Sequence, residues 1–304
     1  MRDKAYLIGF LLGAALLLYL GRGLIESSAI VALVLTFAGT TAAGVLGMVL
    51  YRVQAELRAS RRELARKEAE LTFALEVQKS LFPRQFPRDG GLEFSAICVP
   101  ARGISGDYYD VVQLPDGRLI FAIADISGKG ISAAILMSNL QAVLRVVAGG
   151  NCSPAEVCAR LNQHLCEITD ETRFATFFYG EWNLGQRTLS YVNAGHNIPI
   201  LCGSSQGRKL QDGGPPLGLF HATKFEVGTL VLQPGDMIVL YSDGITEAGI
   251  QRGEEFGESR LAALIGNSDH KPLAEIQQQV LAAVRKWSGD EPEDDMTMLL
   301  ARAI

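Results

Sequence analysis

The 304-residue chain has no Cys-x-x-Cys pair; its cysteines, Cys98, Cys152, Cys158, Cys166 and Cys202, are scattered and odd in number. This excludes a paired-cysteine metal site and reads as free thiols in a reducing compartment. Basic charge is not in excess either. Twenty-eight lysines and arginines against 33 aspartates and glutamates leave a net charge of -5, so bulk charge shows no nucleic-acid footprint and no nucleic-acid partner is expected. Internal repeats and low-complexity tracts are absent. Between Arg52 and Leu81 there is neither glycine nor proline, which predicts an uninterrupted helix there.

Two long apolar runs open the chain. Ala5 to Gly21 is uncharged between Lys4 and Arg22, and Ser27 to Tyr51 is longer; both lengths suffice to cross a bilayer. The first could instead be a signal peptide and the second a buried helix, but no convincing small-x-small site follows the first, and a second spanning run comes within a few residues. A hairpin held in membrane lipid is the favoured reading. Gly39, Ala42, Ala43 and Gly47 place small residues at near-helical spacing, which suits close helix contact in lipid. Arg2 and Lys4 precede the first run, and Arg52, Arg58, Arg61, Arg62, Arg66 and Lys67 follow the second, whereas the turn holds only Arg22 and Glu26. This bias predicts a multi-pass protein of the cytoplasmic (inner) membrane with both termini in the cytoplasm.

Beyond the runs, Leu57, Leu64 and Leu71 recur every seven residues, with Ser60, Lys67 and Ala74 on another seam. A dimeric coiled coil, making the chain a homodimer, and a solitary amphipathic helix both fit. Pro83 and Pro87 are expected to stop this helix. The predicted organisation is a hairpin at 1–51 (spans about 5–21 and 27–51), a linker helix at 52–82 and a globular domain at 83–304.

After Gly91, short runs rich in Ile, Val, Phe and Tyr predict strands at Leu92 to Val99, Arg118 to Ala124, Ala175 to Trp182, Thr188 to Val192 and Met237 to Ser242. Helices are predicted at Ile131 to Val147, from Ser153 with Pro154 and Glu156 forming a capping box, at Glu258 to Ile265, and at Pro272 to Trp287. Strands joined by tight turns, with helices in pairs, fit an α+β sandwich better than an alternating parallel fold. The polar, glycine-rich segment Gly203 to Pro216 reads as a flexible loop bordering substrate.

Acidic residues stand at the ends of these runs. Asp107 lies in Ser-Gly-Asp-Tyr-Tyr-Asp, Asp125 closes one strand and opens Asp-Ile-Ser-Gly-Lys-Gly, Asp243 closes another, and Asp294 with Asp295 precedes the strand Met296 to Leu300. Singly, each has a plain explanation. Asp243-Gly244 suits a turn, Asp294 and Asp295 suit a cap or solvated loop, and Gly128 and Gly130 suit a helix opening or a phosphate-cradling nest. Together they are specific, because several strand ends can converge on one cleft. Oxygen-only donors without His or Cys suit hard cations such as Mg2+ or Mn2+ rather than zinc. Two such ions can activate water and clamp a phosphoryl group for in-line attack.

In order, the segments 105–110, 125–130, Asn-Ala-Gly-His-Asn (193–197), Pro-Pro-Leu-Gly (215–218), Ser-Asp-Gly-Ile-Thr-Glu (242–247) and Asp-Asp-Met-Thr (294–297) resemble the SpoIIE branch of the metal-dependent serine/threonine protein phosphatases (PPM, type 2C). The resemblance spans about Leu75 to Ile304 and includes Gln78-Lys-Ser-Leu-Phe-Pro, similar to the family's entry helix. It implies a four-layer α-β-β-α sandwich and two divalent cations, Mn2+ or Mg2+. Asp125 is then expected to bridge both cations with help from the Ile126 carbonyl, Asp107 to ligate the second, and Asp243 and Asp294 the first. Asp295, where relatives often carry Asn, is a weaker candidate. Ser105 stands where Gly is usual, and Lys129 where His is common. The implied substrate is a phosphoserine or phosphothreonine protein, an anti-anti-sigma (STAS-domain) regulator in bacterial partner switching. The alternatives are a silent scaffold of the same fold, against which the intact aspartates argue, and an anti-sigma kinase fold, against which the strand before Asp125 argues. Arg102 is either a bidentate phosphate clamp or a surface arginine. His196 is either an acid for the leaving alkoxide or the residue that fixes a turn between strands.

Overall fold

The computed structural model describes residues 11–19, 21, 29–101, 103–170, 172–289 and 292–304. Arg102, residues 5–10 and 20 of the first apolar run, and the turn residues 22–28 lie outside the described residues. Contacts divide the chain into two units, Met1–Ala69 and Glu70–Ile304.

Residues 11–19 are helical. Helix α1 (Ala29–Lys79) then runs for 51 residues, joining the second apolar run to the charged stretch as one element. A Glu63–Lys67 pair, four residues apart at 2.8 Å, supports its charged part. The apolar part is long and apolar enough to cross a membrane, and none of that window is buried; Leu33, Phe37, Met48 and Tyr51 are exposed. The helix stops at Lys79, four residues ahead of Pro83, where Ser80 and Leu81 donate back to the Val77 and Gln78 carbonyls in a tightening turn.

In the second unit, strands β1 (Leu92–Val99), β2 (Tyr108–Gln113) and β3 (Leu119–Ile126) lead into helices α2 (Ile131–Ala148) and α3 (Pro154–Ile168). Strands β4 (Ala175–Asn183), β5 (Thr188–Ala194), β6 (Ile200–Cys202), β7 (Gly213–Gly214), β8 (Gly228–Val231) and β9 (Met237–Tyr241) follow. Helices α4 (Asp243–Thr246), α5 (Glu258–Gly266) and α6 (Leu273–Ser288) precede the last strand, β10 (Met296–Ala303). One sheet has the order β1-β10-β9-β6; the other runs β2-β3-β4-β5-β7, with β8 also on β5.

Three apolar clusters set the layers. Met137, Leu140, Leu144 and Leu161 of α2 and α3 pack on Ala122, Phe177 and Tyr179 of the larger sheet. Phe121, Phe178, Trp182, Leu240 and Leu299 fill the space between the sheets. Val239, Met298 and Leu300 of the smaller sheet pack on Leu261, Ile276 and Val280 of α5 and α6. The order is therefore helices, sheet, sheet, helices. Helix α3 starts where its capping box predicts: Ser153 N–H donates to Glu156 Oε2 at 2.8 Å, and Glu156 N–H donates to Ser153 Oγ.

Several elements differ from expectation. β2 was expected only as a motif, because its fully buried Tyr-Tyr-Asp-Val run does not alternate. β6, β7 and β8, of 3, 2 and 4 residues, are too short to show a period. The segment expected as a loose loop contains β7, which pairs in parallel with Asn193 and Ala194.

Candidate active site

Each sheet brings two aspartates to one rim. In the β2–β3 ladder Tyr108 faces Ala124, so one step further Asp107 faces Asp125. In the β9–β10 ladder Tyr241 faces Met298. Past its end, Ser242 N–H donates to the Thr297 carbonyl at 3.0 Å and Thr297 N–H donates to Ser242 Oγ at 2.9 Å, which holds Asp243 next to Asp294. A strand edge that ends in a carboxylate lets the chain turn away while the side chain stays at the rim, and both sheets use this device.

Gly244 allows the second pairing to close. A Cβ on it would stand 2.1 Å from the Asp295 carbonyl oxygen, so the first turn of α4 reaches the Asp294–Asp295 backbone only because residue 244 lacks a side chain. The Asp-Gly dipeptide is therefore part of a short helix and a close approach, rather than a simple turn. Gly106 has a similar role, its missing Cβ standing 3.2 Å from the Ile126 carbonyl oxygen.

These carboxyls stand close enough to perturb one another. Burial, and next the charge of Asp125, holds the Asp107 carboxyl well above the usual carboxylate range, against the hydroxyls of Thr297 and Ser242. Asp125 is raised by burial and then by Asp243 and Asp294. Asp243 is raised by burial and then by Asp294, with the Lys129 charge opposing. Asp125 thus feels both sheets' carboxylates. Asp107 Oδ2 is buried without a hydrogen-bond partner, which is costly unless a cation or proton meets it. Among the described residues, no three His, Cys, Asp or Glu side chains already form a closed coordination cage. The donors are nevertheless all oxygen, crowded and short of positive charge, and that set fits hard divalent cations.

Other candidates have separate roles. Asp295 accepts from Ala101 N–H, Ser105 Oγ–H and Gly106 N–H, each at 2.8 Å, so it braces the segment leading to Asp107. His196 is buried, with Nδ1 2.8 Å from Thr176 Oγ1 and its own N–H donating to Asn193 Oδ1 at 2.7 Å. Burial pushes its pKa down to about 4, so the imidazole is neutral. It sits one ladder step behind Asp125, which faces Thr176. Asp110, in the same motif as Asp107, is bonded to Arg145 at 2.8 and 3.0 Å and to Tyr108, and ties β2 to α2. Ser242, Thr297 and Gln78 lay in the motifs without a role. Gln78 Nε2–H donates to the Ser105 carbonyl at 2.6 Å, and Ser105 N–H donates to Gln78 Oε1 at 2.9 Å.

Residues 115–304 match the family described as stage II sporulation protein E (SpoIIE). The chain belongs to the SpoIIE family. This SpoIIE-family chain is 30% identical over 254 residues to the phosphoserine phosphatase RsbU of Bacillus subtilis, covering 83% of itself and 74% of RsbU. It is also 30% identical over 263 residues to the protein IcfG of Synechocystis sp., with 76% of the chain covered but only 41% of IcfG's length. Among solved structures, the SiaA-PP2C domain of Pseudomonas aeruginosa superposes with a TM-score of 0.70 at 20% identity, over 79% of this chain and 98% of that one. At this identity the superposition shows the fold alone, a PP2C architecture.

Proposed function

We propose that this chain hydrolyses phosphoserine or phosphothreonine on a regulatory protein, using divalent cations held by Asp107, Asp125, Asp243 and Asp294. The chain is a protein serine/threonine phosphatase. The observation that carries the reading is the convergence of raised carboxyls from both sheets on Asp125, together with the unpartnered buried oxygen of Asp107. Two cations, Mn2+ or Mg2+, would acidify a water and draw negative charge from the phosphoryl oxygens. Asp125, perturbed by Asp243 and Asp294 and in turn perturbing Asp107, would be shared between them; Asp107 and the Ile126 carbonyl would hold one side, and Asp243 and Asp294 the other. Asp295 keeps the Asp107 segment in place, and Ser242 and Thr297 lock the opposite rim. Rigid placement of this kind removes reorganisation from the chemical step.

The similarity to RsbU supports a phosphoserine protein as substrate, and we assign it to the STAS-type anti-anti-sigma class in partner switching. Unburied apolar residues of α1 support anchoring in membrane lipid with the phosphatase unit in the cytoplasm, and the charged part of α1 supports a homodimer.

The test is phosphate release from a phosphoserine protein by the full chain with Mn2+ or Mg2+. Asp125→Asn and Asp243→Asn should abolish release while circular dichroism and thermal unfolding show an intact fold. Release that persists in a chelator, or at the unsubstituted rate in both variants, overturns the assignment.

A further inference from the structure

Among the described residues, Lys129 is the base paired with a carboxylate of the acidic rim, Asp294. It stands between Gly128, at φ 98°, and Gly130, at φ 75°, a left-handed region that side chains avoid. A Cβ at either glycine would meet nothing within 4 Å, so both serve conformation rather than room. Two such residues in three lie in the connection between β3 and α2 that carries Lys129. Lys129 Nζ lies 2.5 Å from Asp294 Oδ2 and 3.4 Å from the Glu293 carbonyl oxygen. Its charge also reaches Asp243 and Glu247, where it opposes the upward push on both carboxyls. The ammonium therefore touches the Asp294 carboxylate, and its charge reaches those of Asp243 and Glu247.

We propose that Lys129 is an internal counter-cation that occupies Asp294 in the metal-free enzyme and is displaced when a divalent cation loads, so that it sets the affinity of this rim for metal. The inference rests on the two-cation reading of the site. The physical basis is exclusion: a cation takes a carboxylate oxygen at about 2.0 to 2.6 Å, and an ammonium hydrogen-bonded to the same oxygen would crowd it and repel it. Without metal, the crowded carboxylates repel one another and the ammonium offsets part of that repulsion. The contact is also of a releasable kind. Both side chains are partly exposed, 43% for Lys129 and 39% for Asp294, and solvent-exposed ion pairs are weak. The flexible lysine stem lets the ammonium swing away without moving the backbone.

The experiment is a calorimetric titration of the full, detergent-solubilised chain with MnCl2 and with MgCl2, without substrate, alongside thermal unfolding with and without metal. Lys129→Met should bind Mn2+ about tenfold more tightly, the scale expected when one positive charge near a divalent site is removed. The same variant should unfold a few degrees lower than the unsubstituted chain without metal, by roughly the value of one exposed ion pair, and at saturating metal the gap should close and reverse, because tighter binding adds stability by linkage. Lys129→Arg, which keeps the charge, should stay near the unsubstituted chain in both readouts. Equal or weaker metal binding by Lys129→Met overturns the proposal. Tighter binding with unchanged metal-free stability also overturns it, leaving only a through-space charge effect. If the unsubstituted chain binds neither cation, the two-cation reading itself fails.

Discussion

On the Asp107 side, the backbone is bonded to two distant segments: Asp295 takes hydrogens from Ala101, Ser105 and Gly106, and Gln78 at the end of α1 both donates to and accepts from Ser105. On the Asp294 side, the carboxylate is 39% exposed and its contact across the site is a lysine between two glycines. Asp107 is 1% exposed. One rim is thus preorganised to its carboxylate, whereas on the other the Ser242–Thr297 bonds hold the backbone and only the Asp294 side chain is left adjustable. A site that must admit cations and still hold them in one geometry needs both properties: a rigid half defines where the ligands stand, and a soft half lets an ion in without unfolding the rim.

The largest effect should come from removing the brace of the rigid rim. Asp295→Ala leaves three donors without their charged acceptor, and the expected loss is about 3 to 5 kcal/mol of unfolding free energy, with metal-dependent turnover down by roughly 100-fold as Asp107 drifts. Denaturant unfolding and phosphate release measure both. A variant of unchanged stability would show that the two rims are equally loose.

Gln78→Ala should have an intermediate effect. It strips partners from the Ser105 N–H and carbonyl while leaving Asp295 in place, and should cost about 2 kcal/mol. Hydrogen exchange should show faster exchange at Ser105 with protection kept in β9 and β10. Equal loss of protection in both sheets would erase the distinction between the rims.

The smallest effect at neutral pH belongs to His196, beneath Asp125. Its folded pKa of about 4 lies below the ordinary 6.5, so as pH falls below 6.5 the unfolded chain takes the proton first. The contribution is fully present above 6.5 and is lost as pH drops toward 4, by up to about 3 kcal/mol in total. His196→Gln should change stability at pH 7.5 by only about 1 kcal/mol and flatten the acid limb between pH 6.5 and 4. Parallel stability–pH curves for the two proteins would remove His196 from the buried scaffold.

Much of the frame could be read locally. The capping box of Ser153 and Glu156 marked the start of α3, and glycine-free, proline-free sequence from Arg52 marked the long helix. Hydropathy alone was less decisive, since the α1 window and α2 both pass as possible spans, yet the first is unburied and 44% of the second is buried. Burial separates them because α2 has a sheet to pack on.

The site was legible as a set of strand-end aspartates but not as a division of labour. Asp294 and Asp295 are chain neighbours of identical chemistry, and so, nearly, are Asp107 and Asp110. Asp295 turns to the Asp107 segment and Asp294 to Lys129, while Asp110 turns to Arg145. Gly244 reads as a turn residue until the Asp295 carbonyl is seen 2.1 Å from its absent Cβ.

Local sequence sets most of the longer helices and strands, the place of the apolar run and which carboxylates stand at strand ends, because propensity, capping and periodicity act over a few residues. Packing of the two sheets assigns which carboxylate is a brace, which faces the shared cluster and which is met by a lysine. The partners that settle those roles lie 165 residues away for Asp294 and 189 to 194 for Asp295, and they meet only when the two sheets pack face to face.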